Sequence, residues 1–357
     1  MNSRWHIAGE AAAAILLGAT LWSYAMMTPA LDWNAARLFP AMLMAAGRSP
    51  YFPAMSGPAT GWIYGPIMPM LHLPASLAPT ITSAMVVSAC INAAAFVLPI
   101  LAVADYAAWR CGFRRERLAI AVTCLGLLLA QPGLNNYLLW IQSDQVAIGL
   151  ALLSCVFLAR ENLVGAAALA VLAVWTKQIA IAVPLAHAVY LIALRREPTD
   201  ALRYIAWFAV IGIAVSAVMV RLFGLEPLVY NLWIVPSGNH LKDWQTVWIA
   251  NTLELLKEGS PSLIVAAACW RVAGDFHRWP NLNSIVKVLL TLAVCQLPFG
   301  LLAAAKIGGG NNSFHLVGTL YTVAIVCAVG AAATRRETLR RRHFTWTSVA
   351  AALLVCF

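Results

Sequence analysis

Two carboxylates and two ammonium groups are the side chains of this sequence with the most scope for chemistry. Asp32 stands a few residues beyond the first apolar run and Asp144 directly before another, so both are expected near a bilayer surface. A carboxylate at that depth can accept a proton from a substrate hydroxyl or hold a divalent cation. Each also has a purely local reading as a helix N-cap, Asp32 for the stretch ending at Gly47 and Asp144 for a helix starting at Gln145. Lys177, followed by Gln178, interrupts a long apolar run, and Lys306 precedes the glycines Gly308, Gly309 and Gly310. A cation beside a phosphate stabilises it as it leaves, and a glycine run lets backbone N–H groups come close to an anion or a sugar. Arg37 and Arg48 are further candidate cations, and Asn311, Asn312 and His315 crowd the loop of Lys306.

The elements that must position these groups are membrane helices. Of 357 residues, 62% are hydrophobic and only 11% charged, with a mean hydropathy of +0.78. A soluble domain carries roughly 25% charged residues, so a soluble globular chain and a disordered one are both excluded. The apolar runs are continuous, which favours helices over the alternating strands of an outer-membrane barrel. The pattern predicts about 11 spans, near residues 8–28, 81–104, 118–130, 145–159, 162–176, 178–194, 204–223, 259–270, 284–304, 316–333 and 344–357. The expected fold is therefore all-α: one polytopic transmembrane helical bundle over 1–357, with a long first extracytoplasmic loop at 29–80 and an end that could be truncated.

One segment decides the topology. Residues 162–194 are interrupted only by Thr176, Lys177 and Gln178. A single helix of that length would run about 50 Å against a hydrocarbon core of about 30 Å. Breaking it at Lys177 puts seventeen of the 24 Lys and Arg on the cytoplasmic side, whereas leaving it intact puts ten there. The excess of basic residues marks the cytoplasmic face, so the break and a cytoplasmic N-terminus are predicted. Lys177 and Gln178 then lie below the outer surface, where an ammonium needs a partner or a water-filled cavity. The formal charge of +10 is read as this orientation signal and not as a nucleic-acid surface.

The first loop reads Leu31-Asp32-Trp33-Asn34, then Gly47-Arg48-Ser49-Pro50-Tyr51, then Tyr64-Gly65-Pro66. It resembles the first extracytoplasmic loop of the GT-C superfamily, the multi-span glycosyltransferases that use polyprenyl-phosphate-linked sugars. Gln142-Ser143-Asp144 resembles the acidic second loop of that superfamily, Thr176-Lys177-Gln178 its turn between short helices, and Lys306 to Asn312 its late Lys-x-Gly-Gly-x-x-Asn loop.

The resemblance implies a glycosyltransferase of the plasma (inner) membrane with its site on the extracytoplasmic side. Asp32 would be the general base toward an acceptor hydroxyl, and Asp144 a second acid that positions the acceptor or helps bind a cation. Lys177 and Lys306 would hold the phosphate. Tyr51 and Tyr64 are candidates for sugar or lipid contact, with Gln178 and His240 as further substrate-binding candidates. The implied partners are a polyprenyl-phosphate sugar donor, a lipid or glycan acceptor and membrane lipids. A divalent cation is left open, because the two acids are far apart in sequence and form no Asp-x-Asp pair. A transporter or lipid flippase is the rival of another class, and a ligase or polymerase with a polyprenyl diphosphate donor is the rival enzyme. No Gly-x-x-x-x-Gly-Lys, Gly-x-Gly-x-x-Gly or His-Glu-x-x-His motif is present, which disfavours nucleotide-driven transport and the common zinc chemistry.

Overall fold

The computed structural model describes residues 3–54, 56, 62–111, 117–129, 140–241, 249–250, 252–253, 256–257, 284–306 and 311–334. Among them the elements are helices and turns, with one isolated antiparallel bridge between Leu241 and Lys306. In chain order the helices are α1 (Ser3–Met27), α2 (Asp32–Ala45), α3 (Ile67–Leu71), α4 (Ile81–Cys111), α5 (Arg117–Leu129), α6 (Ser143–Ala159), α7 (Leu163–Thr176), α8 (Ala182–Val189) and α9 (Pro198–Phe223). They are followed by α10 (Leu225–Val229), α11 (Val235–Ser237), α12 (Ser284–Ala305) and α13 (His315–Thr334).

Nine of the eleven expected spans coincide with these helices, and those at 259–270 and 344–357 lie outside the described residues. Four described segments are long and apolar enough to cross a membrane: Ile81–Arg110, Gln178–Arg195, Pro198–Phe223 and Ser284–Ala305. Within the apolar window of α9 only 6% of the residues are buried, so this helix shows an uncovered hydrophobic flank of the kind a bilayer solvates.

The expected break at Lys177 is present. Lys177 is extended (φ −148°, ψ 123°) between the end of α7 and a 3-10 turn at Gln178–Ile181. The helix starts differ by a residue or two from the capping expectation. Gln142, not Asp144, is the N-cap residue of α6, which puts Asp144 in the first turn. Leu31 is the N-cap residue of α2, and Asp32 is its first helical residue. The Asp144 carboxylate in the first turn of α6 meets the positive end of the helix dipole, so the electrostatic benefit survives this shift of register.

Apolar packing forms two cores. The larger lies inside the bundle and draws on α4 to α9, α12 and α13, including Ile100, Leu125, Leu152, Ala170, Val183, Leu289 and Leu320. The smaller gathers Leu38, Tyr51, Trp62, Met68, Ile141, Val146, Met219 and Leu228. It mixes residues of the first loop with the entry to α6 and the end of α9, so it fastens the loop over one end of the bundle. Gly65 makes that closure possible. A side chain there would overlap the Trp175 carbonyl, and without one the Gly65 N–H reaches the Thr176 carbonyl at 3.2 Å. The first loop thereby rests directly on the end of α7.

Candidate functional site

The site is built where three stretches of chain meet: the first loop, the entry to α6 and the Lys177 break. Asn34, on the second turn-position after Asp32, is buried and joins two of them. Its Nδ2 donates to the Thr28 carbonyl (2.9 Å), and its Oδ1 accepts the Ile141 N–H (2.8 Å). The start of α2 is therefore fastened to the segment three residues before Asp144. Asn92 of α4 supports the same segment, donating to the Trp140 carbonyl (3.1 Å), as Gln145 does (3.1 Å).

Asp144 and Lys177 form an ion pair between the Nζ and Oδ1 atoms, 33 residues apart in the chain. Their side chains are 7% and 10% exposed, so each charge relies on the other. Tyr64 lies beside the pair. Its ring centroid is 5.6 Å from the Lys177 Nζ and 5.4 Å from the Arg37 guanidinium carbon. A ring face attracts cations, so Tyr64 draws Lys177 and Arg37 to one place although like charges repel. Two cations, a carboxylate and a phenol ring are thus assembled from these three stretches.

Tyr51 positions Tyr64, since its hydroxyl donates to the Tyr64 carbonyl (2.7 Å). Burial of Tyr51 pushes its phenol far above the usual tyrosine range, which keeps it a neutral hydrogen-bond donor. Gln178 is a clasp: its Nε2 donates to the Ile63 carbonyl (2.7 Å) and the Leu232 carbonyl (3.2 Å), tying the first loop to the stretch after α10. Asn231 adds a second tie to the Phe52 carbonyl (2.8 Å).

The remaining expected residues are placed as follows. Lys306 donates to the Pro236 carbonyl (3.0 Å) and pairs with Leu241, so it is joined to the α11 segment and has no direct contact with the Asp144 pair among the described residues. His240, next to Leu241, is exposed, as is Arg48. Asn312 is half-buried in a 3-10 turn, and His315 is buried at the first position of α13. Asp32 and Asn311 have described backbones at the start of α2 and of that turn.

A group of buried neutral polar residues carries no motif in the sequence. His72 is fully buried, with its Nε2 3.0 Å from the Asn92 Oδ1. Because the Asn92 amide donates to Trp140 through Nδ2, its Oδ1 is the acceptor, which makes His72 Nε2 the protonated nitrogen. Burial lowers the His72 pKa to about 4, and the bond to Asn92 offsets part of that effect. Asn34, His72, Asn92 and the fully buried Gln296 share one sequence signal, a polar side chain within a largely apolar stretch.

These features define a polytopic helical membrane protein with a lidded, charged site at one end of its bundle. No protein-family profile matches the chain, and no curated protein matches it. Among solved structures the chain is similar to the crystal structure of ArnT from Cupriavidus metallidurans bound to undecaprenyl phosphate, with a TM-score of 0.62 and 16% identity. The match covers all of this chain and 64% of that one, so the chain spans just under two thirds of its structural neighbour. The fold is GT-C-like.

Proposed function

We propose that the chain is a membrane glycosyltransferase that moves a sugar from a polyprenyl-phosphate donor to a hydroxyl of a lipid or glycan acceptor on the extracytoplasmic face. The observation that carries this reading is the gathering of Asp144 and Lys177 with Tyr64 and Arg37 of the first loop, fastened through Asn34 to the start of α2 where Asp32 lies. The likeness to a protein whose crystal structure holds undecaprenyl phosphate supports the choice of donor. The N-terminus is taken to be cytoplasmic, as the basic residues indicate.

In this reading Lys177 and Arg37 receive the donor phosphate, and Lys306 supports it from the neighbouring loop. The acceptor hydroxyl oxygen attacks the anomeric carbon, and its proton passes to Asp32. The bond from that carbon to the phosphate oxygen breaks with inversion, and polyprenyl phosphate leaves with the negative charge that the cations stabilise. Asp144 holds Lys177 in place until the phosphate arrives and then orients the acceptor. Tyr51 and Gln178 act by fixing the loop. Arg48, His240, Asn311, Asn312 and His315 are assigned to the rim of the donor site.

The test incubates the purified chain with a radiolabelled polyprenyl-phosphate sugar and a membrane glycolipid extract. Transfer of label to a new product is expected, and Asp32→Asn is expected to abolish it while thermal unfolding is unchanged. Near-normal turnover by that variant would refute the role of Asp32. Label carried across vesicles with its glycosidic bond intact would identify a carrier instead.

A further inference from the structure

Gln142 and Ser143 precede Asp144 at the start of α6 and are 4% and 1% exposed. Among the described residues, neither the Gln142 Oε1 nor the Ser143 Oγ has a hydrogen-bond partner. The backbone around them is well supplied: the Ile141 N–H is taken by Asn34, and the Trp140 carbonyl accepts from both Asn92 and Gln145. The start of α6 has no side-chain cap either. A segment fixed this firmly keeps two buried polar atoms unsatisfied directly beside the ion pair. Unmade buried hydrogen bonds cost free energy, and a ligand that completes them recovers it.

We propose that Gln142 and Ser143 form a subsite for the hydroxyl groups of the donor's sugar and so determine which sugar is used. This rests on the glycosyltransferase reading above. The chemistry of the two atoms selects the ligand. A carbonyl oxygen repels a phosphate and accepts from an O–H, and a serine hydroxyl both donates and accepts. Rotating the Gln142 amide by 180° would present an N–H, which a sugar hydroxyl accepts equally well. The adjoining Asp144 carboxylate, already paired with Lys177, further disfavours an anion at Gln142 and Ser143, whereas Arg37 and Lys177 both reach the Tyr64 ring. A neutral hydroxylated group next to a cation-bound phosphate is the arrangement of a sugar phosphate ester. Sites that hydrogen-bond a substrate hydroxyl discriminate strongly against analogues lacking it, because their own polar groups are then stranded.

The test compares binding of bare undecaprenyl phosphate with binding of undecaprenyl phosphate carrying glucose, mannose or arabinose, using the full chain in lipid nanodiscs. The wild-type chain is expected to bind at least one sugar-bearing lipid more tightly than the bare one. Gln142→Met and Ser143→Ala should each reduce that preference about tenfold while leaving affinity for the bare lipid within about twofold. Ser143→Thr, which restores a hydroxyl, should recover the preference. Variants that keep the full preference, or weaken both lipids equally, would overturn the subsite. No sugar preference in the wild type would overturn it as well while leaving the donor class standing. Failure to bind either lipid would overturn the glycosyltransferase reading itself. Ser143→Ala removes one oxygen and no carbon, so it keeps the experiment decisive should Gln142→Met fail to fold.

Discussion

A double-mutant cycle on Asp144 and Lys177 tests the centre of the site most directly. Removing one partner of a buried ion pair typically costs about 3–5 kcal/mol, because the other charge is left uncompensated. Here each charge keeps a partial substitute. Lys177 retains the face of Tyr64 at 5.6 Å, worth about 0.5–1 kcal/mol or somewhat more when desolvated. Asp144 retains the positive end of α6, worth about 0.3–1 kcal/mol. Asp144→Asn and Lys177→Met are therefore each expected to cost about 2–4 kcal/mol, which for a chain this long is roughly 3–5 °C in Tm. With both charges removed no stranded charge remains, so the double variant should lie within about 1 kcal/mol of wild type. The measurement is thermal unfolding in a fixed detergent, followed by intrinsic tryptophan fluorescence. If the double variant loses the sum of the two single losses, the two groups are not coupled and the site as described does not exist.

Two further outcomes concern the loop that closes the site. His72 titrates near 6.5 when unfolded and about 4 when folded, so between those values the unfolded chain binds more protons. Its neutral state thus supports full stability above about pH 6.5, and stability falls as pH drops toward 4, by at most about 3 kcal/mol. His72→Gln should flatten that part of the pH profile of Tm, and an unaltered slope would place the titration elsewhere. Gly65→Ala puts a methyl group into the Trp175 carbonyl, and since backbone cannot give way cheaply it should cost about 2–4 kcal/mol and loosen the first loop to protease. An alanine variant with wild-type Tm would show that the loop does not rest on α7.

Much of the architecture is legible in the sequence because the bilayer imposes it. Span length and the distribution of basic residues together locate the break at Lys177, where a helix of uninterrupted hydropathy would otherwise be drawn. Asp144 and Lys177 are each conspicuous as charges next to or within apolar runs, yet their pairing depends on how α6 and α7 pack and has no local signature. The same holds for Tyr64, whose aromatic type reads equally well as an interfacial anchor and whose place between two cations is set by the Gly65 contact. The contacts of the neutral residues have no sequence signature. Asn34 and Gln178 perform their work through backbone carbonyls and N–H groups, and those partners are present at every position of every sequence. Capping was shifted for a related reason: Gln142 is an uncommon N-cap residue, so Asp144 attracted the assignment although the helix begins one residue before it.

The resting geometry also requires a competition that can be measured. Lys177 is held by Asp144, so a phosphate that uses the Lys177 ammonium must displace the carboxylate, and its observed affinity is reduced by the strength of that pairing. Asp144→Asn removes the competitor and leaves the amide too weak a partner to replace it. If phosphate binding in wild type gives up about 2 kcal/mol of that pairing, the variant is expected to bind undecaprenyl phosphate up to roughly 30-fold tighter. Sugar transfer should fall in the same variant, because the carboxylate that orients the acceptor is gone. Tighter lipid binding with slower transfer separates this account from simple damage to the site, which would weaken both. Titration of wild type and variant with undecaprenyl phosphate at matched detergent settles the matter: equal or weaker binding by Asp144→Asn would mean that Lys177 does not meet the phosphate.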